Sequence, residues 1–132
     1  MILDQFKLDG KVAIVTGGSR GLGQGMAIGL AEAGADVALV DILDMSESKE
    51  KIEALGRKCI AITADLSKKE SVDTIVSTTV EQLGSIDILF NNAGIIRRAP
   101  ITEFTEKDWD DVMNVNLKSL FFLCQAAARQ FV

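Results

Sequence analysis

The clearest chemistry in this sequence lies in eight consecutive residues, Thr16-Gly17-Gly18-Ser19-Arg20-Gly21-Leu22-Gly23. Glycines at this spacing, between an apolar run and a helical pattern, suit a loop that wraps a phosphate. Gly17 lets the chain turn sharply, Gly21 lets backbone approach a pyrophosphate, and Gly23 lets the next helix pack closely. The helix start then offers unpaired N–H groups and the positive end of its dipole to an anion. The alternative is a tight turn that binds nothing, but a strand before the loop and a helix after it favour the ligand. Gly17, Ser19, Arg20, Gly21, Leu22 and Gly23 are therefore candidate cofactor contacts. A triphosphate loop would end in Gly-Lys-Ser or Gly-Lys-Thr, and neither occurs.

Asp41 stands eighteen residues after Gly23, at the end of a second apolar run. A carboxylate there can accept from both ribose hydroxyls of an adenosine and would repel a 2′-phosphate, so NAD is expected over NADP. Arg20 pulls the other way: it is either a partner for a 2′-phosphate or a solvated loop charge. Arg97 and Arg98 follow the fourth apolar run. A guanidinium binds a carboxylate in bidentate geometry, so they are candidate contacts for an acidic substrate, with solvated loop charges as the alternative.

Other classes are excluded or disfavoured. The 132 residues suit one domain, and 48% are apolar, enough for a core. A net charge of −5, with no basic stripe, argues against nucleic acid. No metal is expected: there is no His, and Cys59 and Cys124 match no ligand spacing. Both cysteines sit among apolar neighbours and are read as buried free thiols, which fits a reducing cytoplasm. The N-terminus mixes acid and base and does not read as a signal peptide, and no apolar stretch is long enough for a bilayer.

The elements that must position these residues alternate. Val12–Val15, Asp36–Asp41, Lys58–Ala64 and Ile86–Phe90 read as strands, the first two as continuous apolar runs typical of strands buried on both faces. Helices are expected over Leu22–Ala33, over Met45–Leu55, from an N-cap at Ser67 with Glu70 completing a capping box, and from about Glu106, capped by Thr105, to the end. This rhythm predicts an α/β fold: a Rossmann-type doubly wound parallel sheet, truncated after about four strands in the order 3-2-1-4, with a long C-terminal helix. Residues 1–132 are read as one nucleotide-binding domain.

Taken together, Thr16-Gly17-x-x-x-Gly21-x-Gly23, Asp65-Leu66, Asn91-Asn92-Ala93-Gly94 and Asn114-Val115-Asn116-Leu117 resemble the signature motifs of the classical short-chain dehydrogenases/reductases, in register over the whole chain. The resemblance implies that Asp65 and Leu66 border an adenine and that Asn92, Ala93 and Gly94 line the middle of the cofactor. It also implies a Tyr, a Lys, a Ser and an Asn as the proton-handling set, and a cytoplasmic homo-oligomer, dimer or tetramer, built on the last helix. Asn116 matches the family's Asn, in a supporting role. The resemblance implies an NAD-dependent oxidoreductase, in its full-length form, that moves a hydride between nicotinamide and a carbinol or ketone. The Ser and the Tyr-x-x-x-Lys motif belong after a fifth strand and these residues contain no Tyr, so the alternative is a truncated domain that binds dinucleotide without turnover. The stretches Gly21–Ala27, Ile95–Arg98 and Glu106–Met113 are similar to family members that act on 2-deoxy-D-gluconate and related sugar acids, which implies a small-molecule sugar-acid substrate.

Overall fold

The computed structural model describes residues 1–132. Four parallel strands, β1 (Val12–Thr16), β2 (Asp36–Asp41), β3 (Cys59–Thr63) and β4 (Ile88–Phe90), form one sheet in the order β3-β2-β1-β4. Helices α1 (Gly21–Glu32), α2 (Ser46–Glu53) and α3 (Glu70–Leu83) make the crossovers, and α4 (Glu106–Met113) and α5 (Ser119–Phe131) follow β4. The sheet is the one expected from the sequence.

Alternation along the central strands sorts side chains between two cores. Val15, Val37 and Leu39 face α1 and α2, where they meet Ala27, Ala31 and Ile52. Ile14, Ala38 and Val40 face the other way, onto Ile75 of α3 and Leu123 of α5. Ile14, Leu39, Ile75 and Leu123 are almost completely buried, each contributing roughly 1.5–3 kcal/mol by leaving water. Strands covered on both faces explain why β1 and β2 have no polar alternation.

The helix ends follow local chemistry where the sequence is explicit. Thr105 accepts from the Asp108 amide and caps α4, as predicted. Gly84 ends α3 in the left-handed conformation. The expected capping box at Ser67 does not form. Asp65 accepts from both the Ser67 hydroxyl, at 2.7 Å, and the Ser67 amide, at 2.9 Å. That Asx turn uses the hydroxyl as a donor, and α3 starts at Glu70 instead. β4 also starts later than predicted, at Ile88; before it, Asp87 meets Val12 with its backbone N–H donating to the Val12 carbonyl at 2.8 Å and its carboxylate taking the Val12 amide at 2.9 Å.

Two other expectations are corrected. Cys59 is buried, but Cys124 is exposed, since α5 turns Leu123, Ala126 and Ala127 to the core and leaves Cys124 outside. The last helix is not continuous α-helix: residues Asn114–Lys118 form a π-helical turn between α4 and α5. No helix is long and apolar enough to cross a membrane.

Candidate functional site

At the carboxyl ends of the strands the chain forms an open cleft of about 740 Å³. It is lined by Gly17, Ser19, Arg20, Gly21, Leu22 and Gly23 from the β1–α1 loop, Asp41 from β2, Asp65 and Leu66 after β3, and Asn92, Ala93, Gly94 and Arg97 after β4. Ligands of open parallel sheets bind at this edge. Of the residues singled out from the sequence, Arg98 and Asn116 lie outside the lining. Arg98 is exposed on the loop, and Asn116 stands behind the cleft wall.

Two glycines are fixed by geometry. Gly17 has φ +68°, and a β-carbon there would come 2.9 Å from Asn92 Nδ2. A β-carbon on Gly23 would collide with the Gly17 carbonyl and the Asn92 side chain, so α1 can start against the loop only with glycine. The contact Gly23 permits is therefore with the loop itself and Asn92, more directly than with the sheet.

The loop's carbonyls are tied back by side chains. Asn92 Nδ2 donates to Thr16 O at 3.2 Å and Gly17 O at 3.3 Å. Ser48 Oγ, on α2, donates to Gly18 O at 2.7 Å and lies 3.1 Å from Ser19 O. Thr16 Oγ1 in turn accepts from the amides of Asn92 and Ala93 and donates to Phe90 O. In the first turn of α1 the amides have no partner within the helix, and Arg20, the N-cap residue, makes no side-chain cap. The arrangement consumes acceptors and leaves donors, as an anion site requires.

Asp41 is occupied on both oxygens. Oδ2 accepts from the Ser19 amide at 3.1 Å, and Oδ1 from the amides of Ile42 at 2.8 Å and Leu43 at 3.2 Å. Partial burial alone would raise its pKa, but the hydrogen bonds from Ser19, Leu43 and Ile42 outweigh it and hold the carboxyl below its ordinary value. Each carboxylate oxygen still has acceptor capacity for a ribose hydroxyl. Beside it the Ser19 hydroxyl is buried and close enough to the Asp41 carboxylate to help hold its proton affinity down, without a well-aligned hydrogen bond of its own. The glycine cradle, the free helix amides, the Ser19 hydroxyl and the ionised Asp41 together fit a dinucleotide.

On the far side, Arg97 is flanked by two carboxylates of α4, Asp108 at 3.7 Å and Asp111 at 4.0 Å. Asp111 and Val115 line the cleft as well. Neither stands out in the sequence as a site residue, because only the packing of α4 and the π-helical turn against the loop after β4 brings them there. Asn116, in the π-helical turn, accepts from Ile95 N and donates to Ile95 O, both at 2.8 Å. Its role in this structure is to brace the loop. Nor does the sequence single out Gln24 or Ser48 as site residues; Ser48 in particular is an ordinary polar residue of a predicted helix.

Comparison with known proteins bears on this geometry. The family model described as short chain dehydrogenase matches residues 11–132. The chain is 54% identical to a 2-dehydro-3-deoxy-D-gluconate 5-dehydrogenase from Escherichia coli, over 100% of this chain and 52% of that protein. It is 44% identical to a gluconate 5-dehydrogenase from Gluconobacter oxydans, over 98% of this chain and 51% of that one. The crystal structure of a short-chain dehydrogenase from Burkholderia cenocepacia in complex with NADP superposes with a TM-score of 0.89 at 43% identity, covering 94% of this chain and 52% of that chain. The chain thus spans about half the length of the curated relatives it matches.

Proposed function

Since this chain belongs to the short-chain dehydrogenase family, we propose that it is the dinucleotide-binding half of an NAD-dependent oxidoreductase whose substrate is a sugar acid. The observation that carries the cofactor reading is Asp41, ionised at the end of β2 and hydrogen-bonded to the phosphate-loop residue Ser19. It is positioned to receive ribose hydroxyls and to repel a 2′-phosphate. A nicotinamide dinucleotide, when bound, supplies the hydride acceptor or donor. Gly17, Ser19, Gly21, Leu22 and Gly23 would hold its phosphates, Asp65 and Leu66 would border the adenine, and Asn92, Ala93 and Gly94 would line its middle.

NADP is the second reading. A relative at 43% identity carries NADP, and Arg20 lines the same cleft as Asp41. Calorimetric titration of NAD and NADP into the 132-residue chain separates the two: tighter binding of NAD supports the role given to Asp41, and tighter binding of NADP transfers it to Arg20.

Relatives named for 2-dehydro-3-deoxy-D-gluconate and gluconate support a sugar-acid substrate, and Arg97 in the cleft wall is the candidate cation for its carboxylate, in competition with Asp108 and Asp111. Arg98, outside the cleft, is the weaker candidate. These 132 residues hold no Tyr, so we assign them dinucleotide binding, and we assign turnover to the full-length form. Exposed Trp109, Leu117 and Phe121 support a homo-oligomer through the α4–α5 face, which sedimentation would detect. The free thiols of Cys59 and Cys124 support action in the cytoplasm.

A further inference from the structure

Ser48 belongs to no motif, yet it is completely buried at the start of α2 and its hydroxyl both donates and accepts. A serine hydroxyl has one proton and two lone pairs. The proton goes to Gly18 O at 2.7 Å, with Ser19 O at 3.1 Å beside it, and Gln24 Nε2 donates to the oxygen at 2.9 Å. Gln24, on α1, also donates from Nε2 to Ser19 O at 3.3 Å. Its other end is fixed by Lys51 Nζ at 3.4 Å from Oε1, and Lys51 is paired with Glu47. This sets the orientation of the amide: oxygen toward Lys51, nitrogen toward the loop.

The consequence falls on Ser19. Its carbonyl is held by Gln24 from α1, with the Ser48 hydroxyl of α2 at 3.1 Å beside it, and its amide is held by Asp41 from β2. Both peptide groups of the residue beside the proposed ribose site are thus clamped by side chains from three elements. We propose that Ser48 and Gln24 form a positioning pair that sets the conformation of Gly18–Ser19 for dinucleotide binding, without touching the ligand. The inference rests on the cofactor reading given above.

Preorganised loops bind more tightly because less ordering remains to be done. Removing the Ser48 hydroxyl leaves Gly18 O without its donor and frees the Gln24 amide. The expected result is NAD binding weakened about tenfold in Ser48→Ala, on the scale of one lost hydrogen bond. Gln24→Met, at a half-buried site, should weaken it less, and the two changes should be non-additive in the double variant. Ser48→Thr, which keeps the hydroxyl, should recover most of the affinity.

The test is NAD calorimetry on the 132-residue chain and these variants, with circular dichroism and amide hydrogen exchange on each. Faster exchange confined to Gly18–Arg20, with β2 still protected and weaker NAD binding, supports the pair. A folded Ser48→Ala that binds NAD as the parent does overturns it. If Ser48→Ala does not fold, Gln24→Met decides, and parental affinity there overturns the pair equally. A parent chain that binds no NAD defeats the cofactor reading itself, and the pair with it.

Discussion

The side-chain amide of Asn116 closes a two-point ring on the backbone of Ile95, accepting from its N–H and donating to its C=O, both at 2.8 Å. The ring joins the π-helical turn between α4 and α5 to the loop that carries Asn92, Ala93 and Gly94, and braces that wall of the cleft from the side opposite Thr16. Asn116→Ala leaves two half-buried backbone groups unpaired, and a loss of about 1–3 kcal/mol is expected in urea unfolding. Asn116→Asp keeps the bond from the Ile95 N–H but sets a carboxylate oxygen against the Ile95 carbonyl, so a loss is expected at neutral pH as well. An unchanged urea midpoint in both variants would remove Asn116 from the brace.

Asp41 makes stability depend on pH in a known direction. Hydrogen bonds hold its folded pKa below the ordinary value of 3.8. A group depressed by folding stabilises the native state fully above its unfolded pKa, and that contribution disappears as pH falls through the folded pKa. The parent chain should therefore lose stability below about pH 4 more steeply than Asp41→Asn. Urea unfolding from pH 7 to pH 3 checks this, and parallel curves for the two proteins would contradict it.

Gly23→Ala tests the close approach of α1 to the phosphate loop. The added carbon meets the Gly17 carbonyl and the Asn92 amide, neither of which is a free side-chain end. Overpacking of this kind costs about 1–3 kcal/mol, and here it displaces the loop as well. The expected variant is folded but less stable and has lost measurable NAD affinity. Parental affinity in a folded Gly23→Ala would show that the loop accommodates the methyl group.

The two thiols should react at very different rates. Burial, reinforced by Glu53 and opposed by Lys49, pushes the Cys59 thiol up to about 12, whereas Cys124 is exposed with Asn91 Nδ2 3.1 Å from its sulfur. Since the thiolate is the nucleophile, brief alkylation at neutral pH should label Cys124 alone. Mass spectrometry of the native chain then finds one adduct, and a second only after denaturation. Equal labelling of both in the native state would contradict the burial of Cys59.

What was legible in the sequence was what local patterns determine. Continuous apolar runs in β1 and β2, glycine stops and the Thr105 cap are each decided within a few residues, so the elements could be read, whereas the cleft lining after β3 and β4 followed from the resemblance of Asp65-Leu66 and Asn91–Gly94 to family motifs. The errors lie where a local rule had a competitor. Ser67 had the spacing of a cap, but Asp65 was nearer and captured its hydroxyl. Cys124 has apolar neighbours in sequence, yet one step around α5 separates it from the core-facing Leu123. Ser48 and Asp111 acquire their positions only when helices dock against loops, and nothing in their own neighbourhoods signals it.

The tied-back carbonyls of residues 16–19 have a consequence for how portable the glycine motif is. Asn92 reaches them from beyond β4 and Ser48 from α2, 76 residues after Thr16 and 30 after Gly18 respectively. The eight-residue signature is therefore not a self-contained module. Transplanted onto another strand and helix without those distant donors, it would keep its glycines but not its shape, its carbonyls free to turn into the cleft and meet a phosphate with the wrong sign. The motif is written in one stretch of chain, but the anion site is a property of the whole sheet edge.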